Sequence, residues 1–217
     1  MLGRECVYGD DKGNADAAKA LLNKSELLTE QVDSIQTDGN FHFTEPCPLT
    51  IRELKAERIE SRDKNTTTVT VFSGVFVEVD LAKELSGVTY ISTEGDKSGF
   101  GHLNFFGKIL GLGNIKETKL EWNQFEKDLH VATSDPSEAR YVLTPNFMSD
   151  LHDWWVEDKE NIRIVFRGNK MFMLLPDKEI KFGMSTSSDK PEKVKEYALS
   201  VIRPLWRTIT LVEDIRL

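Results

Sequence analysis

The strongest constraint in this sequence is local. From Ile162 to Leu175 two apolar runs flank Arg167-Gly168-Asn169-Lys170, and Pro176 follows them. Gly-Asn tolerates the positive φ angles of a tight two-residue turn, so the pattern predicts a β-hairpin. A second stretch, Thr67 to Asp80, is dominated by Thr, Val and Phe, residue types that fit a pleated surface. Gly74 falls inside it and marks a bulge or a close backbone approach. Phe41 and Phe43 alternate with polar neighbours up to Thr44, Leu49–Ile59 reads as a further strand, and Val88–Ser92 as another after a turn at Leu81–Gly87. These strands come in runs, not in strict alternation with helices. The expected fold is therefore α+β, mainly an antiparallel sheet.

Helices are expected around it. Leu21, Leu22, Leu27, Leu28 and Val32 give partial helical spacing, suggesting a short helix over Ser25–Val32. Trp122, Phe125 and Leu129 also fall at helical spacing. A turn is expected at Asp135-Pro136 and a short strand at Arg140–Leu143. Thr144-Pro145 reads as N-cap and first residue of a helix reaching about Val156. Beyond Pro191, apolar residues from Val194 through Val201, Leu205, Ile209 and Val212 to Ile215 recur at three- and four-residue steps. They predict an amphipathic C-terminal helix packed on the sheet, kinked or split at Pro204. Residues 1–19, rich in Gly, Asp, Asn and Ala, read as a flexible lead-in to a single domain over 20–217.

Charge and cysteine content narrow the function. The net charge is −8, a sign that repels phosphate backbones, and Lys and Arg are scattered, so no nucleic-acid partner is expected. Cys6 and Cys47 make neither a disulfide framework nor a zinc knuckle and read as free thiols of a reducing cytoplasm. No export signal is visible, so the Asn65-Thr66-Thr67 acceptor pattern carries no weight. The longest apolar candidate, Leu103–Ile115, contains Asn104 and Lys108 and is shorter than the roughly 20 residues a spanning helix needs. The expected localisation is cytoplasmic.

No catalytic, cofactor-binding or metal-ligating residue is assigned. His42, His102, His130 and His152 form no ligand-spaced pair, and the Asp150, His152, Asp153 group reads as a solvated helix face. Cys47 sits between two prolines, which supply neither a base nor a lowered pKa. Trp154 and Trp155 read as core. Gly107–Gly113 has neither phosphate-loop order. The segment around it is unusual: five glycines from Gly99 to Gly113 interleave with Leu103, Phe105, Phe106, Ile109, Leu110 and Leu112. Glycine keeps the backbone adaptable, while Leu and Phe supply area that water disfavours. Those six residues are the candidate interaction surface, for a protein partner or a membrane; the competing reading packs them into the core beside the Val88 strand.

Val71–Asp80 (Val-Phe-Ser-Gly-Val-Phe-Val-Glu-Val-Asp), the Gly87-Val-Thr-Tyr-Ile run, Phe125–Met148, the Leu174-Leu175-Pro176 end and the closing Ile215-Arg216-Leu217 follow one another in this order. The order resembles an uncharacterised bacterial family, number thirty-one thirty-seven in the domain-of-unknown-function series, from about Asn23 to the C-terminus. Phe125–Met148 is the specific part. Members of that family often carry membrane-spanning segments before this domain; this chain shows none, as a soluble member or the soluble part of a longer protein would. The resemblance carries over no catalytic residue. The leading reading is a non-enzymatic binding or scaffold domain acting at the cytoplasmic membrane face. The alternative is a hydrolase or transferase whose site assembles only in three dimensions, with Glu78, Asp80 and Asp135 as candidate acids.

Overall fold

A computed structural model describes residues 5–10, 14–45, 47–62, 65–93, 109, 114–158, 161–176, 202–203 and 205–215. Seven strands form one antiparallel sheet: β1 (Cys6–Asp10), β2 (Ser34–Phe43), β3 (Leu49–Arg62), β4 (Asn65–Ser92), β5 (Lys116–Glu117), β6 (His130–Thr133) and β7 (Arg163–Pro176). The order is β1-β2-β3-β4-β6-β5, with β7 paired to the other side of β4. The helices are α1 (Ala15–Ser25), α2 (Asn123–Asp128), α3 (Pro136–Val142), α4 (Pro145–Asp158) and α5 (205–213). The α+β antiparallel class and the C-terminal helix thus stand as expected.

β4 is the axis of the molecule. Its first half pairs with β3, its last residues pair with β6, and β7 runs antiparallel along it from Gly74 to Ser92. The Ile162–Leu175 hairpin is therefore corrected: the two runs form one strand, β7, that continues through Gly168. Gly168 does adopt the positive φ expected of it, +58°, but as a break in register. On β7, Ile164 and Phe166 face the same core as Met171, Met173 and Leu175, so the side-chain alternation flips across Gly168-Asn169. Opposite it, β4 inserts the extra residues between Asp80 and Val88. The long partner strand supplies backbone pairing on both sides of the irregularity, which outweighs the local preference for a turn. For the same reason the stretch read as a Leu81–Gly87 turn between two strands is an excursion inside one strand. At Gly74, where a bulge or a close backbone approach is expected, pairing with Leu54 stays in register; the bulge lies nearby, where Val71 is left out of the pairing between Ala56 and Glu57.

Both faces of the sheet are buried. Val75, Val77, Val79 and Ile91 of β4 join Phe147 and Leu151 of α4 and Leu205, Ile209 and Val212 of α5 in one core. Phe72, Phe76 and Tyr90, on the opposite face, join Ala18 and Leu22 of α1 and Phe172 and Leu174 of β7 in the other. Leu205 and Ile209 are buried as the periodicity predicts; Val201, Pro204 and residues 191–200 lie outside the described residues.

Two element assignments shift. The first helix is not Ser25–Val32 but Ala15–Ser25, which ends where Glu26 takes the left-handed conformation. Three alanines among Ala15–Ala18 and one at Ala20 favour helix more than the leucine spacing further on. Within the stretch read as a lead-in, β1 pairs with β2 along its whole length, and α1 begins at Ala15. The strand expected at Arg140–Leu143 is instead the end of α3. Its cause is the Asp135-Pro136 pair: the Asp135 carboxylate accepts from the Ser137 and Glu138 backbone N–H groups, and Pro136 loses nothing in the first turn. Thr144 caps α4 as expected, its Oγ1 accepting from Phe147 N at 3.2 Å.

Candidate functional site

The three acids proposed for an assembled active site are engaged in architecture. Asp135 is the N-cap just described. Glu78 Oε1 accepts from Lys170 Nζ at 2.7 Å, Asp80 accepts from the same ammonium, and Arg52 lies 3.6 Å from Glu78 Oε2. Burial works against the charge on Lys170, but the bonds to Asp80 and Glu78 outweigh it and raise its pKa. A cation so held is a strap between β4 and β7.

Cys47 lines a small cavity of about 90 Å³ with Asp80, Leu81 and the end of α5. Burial, and then the neighbouring Asp80 carboxylate, push its thiol pKa up. That is the opposite of what a nucleophilic thiolate needs. His42 shares a hydrogen bond with Thr50 Oγ1 at 3.1 Å.

His152 corrects the reading of Asp150, His152 and Asp153 as one solvated face. Its side chain is buried, 2.9 Å from Asp128 Oδ2, with the ring centroids of Trp122 at 5.2 Å and Trp155 at 6.2 Å. Helix α2, which contributes Asp128, covers it. Trp154 is core, as expected, and Trp155 is half-buried. Among the described residues no group of three or more His, Cys, Asp or Glu converges as a metal site would require.

A different carboxylate has the most elaborate setting. Glu138 of α3 accepts from Ser86 N at 3.0 Å and Ser86 Oγ at 2.9 Å through Oε1, and from Gly87 N at 2.6 Å through Oε2. Ser134 Oγ accepts from Val88 N at 2.8 Å. An Asp at the N-cap with Glu at the third helical position is a capping-box pattern, in which the Glu would reach back to the N-cap N–H. Here that N–H is already bonded to Thr133 Oγ1 at 3.1 Å, which leaves Glu138 to hold the β4 excursion. The backbone bonds from Ser86 and Gly87 lower the Glu138 pKa. Gly87 is required by proximity: a Cβ there would lie 2.8 Å from Asp135 Cβ. The sequence signal was Asp135-x-x-Glu138, legible as a helix start but silent about its distant partners.

A groove of about 270 Å³ lies between α4 and α5. Asp150, Asp153, Trp154 and Glu157 line one wall; Trp206, Arg207, Thr210 and Leu211 line the other. Arg207 is ion-paired with Glu157 and lies 5.8 Å over the Trp154 ring. At the other end the Asp150 and Asp214 carboxyls are hydrogen-bonded; burial, then that bond and the Asp214 charge, raise the Asp150 pKa. Trp206 is 50% exposed, and Ile202, one turn earlier, is also exposed. Trp206 stands in the predicted apolar stripe of the helix but faces outward, because Thr208 and Leu211 take buried positions in its place.

Of the six residues named as an interaction surface, the structure describes Ile109, which is fully buried among the α1-side core residues. Leu103, Phe105, Phe106, Leu110 and Leu112 lie outside the described residues.

The family model for a protein of unknown function, DUF3137, matches residues 70–217, more than half of the chain. The chain belongs to this family. Its matched region holds β4 from Thr70 onward, the α3 clamp and both walls of the groove, and begins later than the Asn23 at which the resemblance was placed. No curated protein matches. Among solved structures, the crystal structure of the mycobacterial trehalose monomycolate transport factor A aligns over 97% of this chain and 87% of its own, at 10% identity and a TM-score of 0.41. A likeness at that score assigns nothing to this chain. No described helix is long and apolar enough to cross a membrane.

Proposed function

We propose that this DUF3137 domain is a non-enzymatic binding domain that engages a protein partner through the α4–α5 groove. The observation that carries this reading is the half-exposed Trp206 beside a groove rimmed by Asp150, Asp153 and Glu157. An indole displayed next to a cleft gives up solvent-exposed apolar area when a partner covers it, and aromatic anchors of this kind dominate protein interfaces. The acids that a hydrolase or transferase would recruit are already committed to caps and straps, which favours binding over catalysis.

Two finer parts extend the proposal. Leu103, Phe105, Phe106, Leu110 and Leu112 would add a second apolar contact, anchored by the buried Ile109. The domain would act at the cytoplasmic membrane face. Their support is the composition of that segment. The central test is in-cell crosslinking and affinity capture with wild-type protein and Trp206→Ala. The variant should fold, because its side chain is half-exposed, and should lose the species that the wild type captures. Identical capture by both would overturn the groove reading. Phe105→Ser with Phe106→Ser should abolish flotation on liposomes and leave folding nearly intact; a large stability loss would assign those residues to the core instead.

A further inference from the structure

The two ends of the sheet differ in protection. An edge strand offers backbone N–H and C=O groups to any chain that arrives extended, and proteins blunt such edges with short strands, lysines, prolines or bulges. β5, at one end, is two residues long and carries Lys116. β1, at the other, has none of these devices. Its five residues, Cys6-Val7-Tyr8-Gly9-Asp10, include no Lys or Pro and pair with β2 without a break in register. In an antiparallel pair, alternate residues turn their N–H and C=O groups away from the partner strand. Among the described residues no strand pairs with that outer side of β1.

β1 also displays apolar area on both faces of the sheet. Val7 is 57% exposed on one face and Tyr8 50% exposed on the other. Tyr8 is held in place: its ring centroid lies 5.2 Å from that of Phe41, and a Cβ at Gly39 would lie 2.6 Å from its hydroxyl. Phe41 packs against the core that α4 and α5 cover, so an added strand would extend a face that Phe41 and Tyr8 already begin. The charge here has one sign. β1 and β2 contain no Lys or Arg. Glu5 and Glu45, both exposed, adjoin the end where Cys6 meets Phe43, and Asp38 adjoins the end where Asp10 meets Gly39.

We propose that the free edge of β1 takes up an extended segment of a partner protein as an added strand, with apolar residues at its centre and Lys or Arg at both ends. Backbone hydrogen bonds along the edge supply affinity, and side chains beside Val7 and Tyr8 set the register. The basic ends answer the acids at both ends of β1. A second copy of this chain fits less well. Antiparallel, it would bring its Glu5 end against the Asp38 end of its twin; parallel, it would bring like ends together, so acids meet acids in either direction. The net charge of −8 also opposes self-association and favours a basic partner. The inference does not rest on the α4–α5 groove.

The test uses the full chain at low salt and a fluorescent peptide, lysine-valine-threonine-valine-threonine-valine-lysine. One counterpart has glutamate at both ends, and another has proline at the centre. Hydrogen exchange read by mass spectrometry should show slower exchange of residues 5–10 when the basic peptide is present. The proline and acidic peptides should bind at least roughly tenfold more weakly. Val7→Lys should weaken the basic peptide by roughly tenfold or more, while Ile59→Lys, an equal charge change at another exposed strand position, should weaken it less than about threefold. Thermal melts confirm that both variants fold, and the peptide and exchange measurements decide the matter on wild type if Val7→Lys does not. Equal binding of the proline peptide, exchange protection outside residues 5–10, or equal weakening by the two lysine variants would overturn the proposal. So would sedimentation showing a wild-type dimer that Val7→Lys dissociates, because the edge would then belong to a second copy.

Discussion

Glu138 and Asp150 are carboxylates on consecutive helices, and they have opposite fates. Glu138 meets three donors from Ser86 and Gly87, which hold its pKa below the usual carboxylate range. Asp150 meets burial and a second carboxyl, which hold its pKa above that range. The first charge is answered inside the chain and fastens β4 to α3. The second meets another carboxyl, Asp214, and lines an open groove. The difference separates a carboxylate that fastens two elements from one set against a second acid beside a groove. It also gives the stretch Phe125–Met148 a physical role: much of it covers His152, caps α3 and α4, and clamps the irregular part of β4.

The largest expected effect tests whether the groove belongs to the folded core at all. Ile209 is buried in the core that both helices share. Ile209→Asp places an unpaired charge there and should cost more than about 3 kcal/mol in urea unfolding. An unchanged midpoint would mean that α5 is not docked, and the comparison of the two carboxylates would collapse with it.

Gly87→Ala attacks the clamp by crowding. Its Cβ would sit against Asp135 and Glu138, so a loss of about 1–3 kcal/mol is expected in the same assay. Tolerance of the methyl group would show that α3 can move away from β4 freely.

Glu138→Gln removes the charge that the three donors answer, and about 1 kcal/mol should be lost at neutral pH. The pH dependence sharpens this. Because the folded-state pKa is lowered, the contribution is present above the unfolded pKa and is lost as pH falls through the folded one. Wild type and variant should therefore converge in stability on acidification. A constant gap between the two unfolding curves down to acid pH would show that charge is not what the clamp uses.

Asp150→Asn should have the smallest effect and the opposite sign. With a raised folded-state pKa, Asp150 is favourable while protonated, and that advantage is lost as pH rises through the folded value. The amide removes the repulsion with Asp214, so stability at neutral pH should be unchanged or higher by about 0.5 kcal/mol. Destabilisation at neutral pH would place Asp150 among the structural acids and erase the contrast with Glu138.

Much of the scaffold was legible because it depends on near neighbours. Period-two alternation in Val75, Val77 and Val79 marks a strand in any context, and Thr144-Pro145 starts a helix through its own hydroxyl and ring. The groove was not legible in the same way. Trp206 falls in the apolar periodicity of its helix, and nothing in the sequence separates it from Leu205 or Ile209, which are buried. Asp150 and Asp214 are far apart in the chain and become a pair only through antiparallel packing.

The sequence by itself determined the α+β class, the antiparallel sheet, the helix beginning at Thr144-Pro145 and the apolar stripe of the C-terminal helix. All of these follow from side-chain periodicity and local backbone chemistry, which act over a few residues. The tertiary structure alone decided that Gly168-Asn169 is a break within a strand and not a turn, because pairing with β4 on both sides outweighs the local preference. It alone decided that Glu138 is a clamp and that Asp150 is opposed by a second carboxyl. A carboxylate's energy is set by what lies within a few ångströms of it, and those partners come from residues 50 or more positions away.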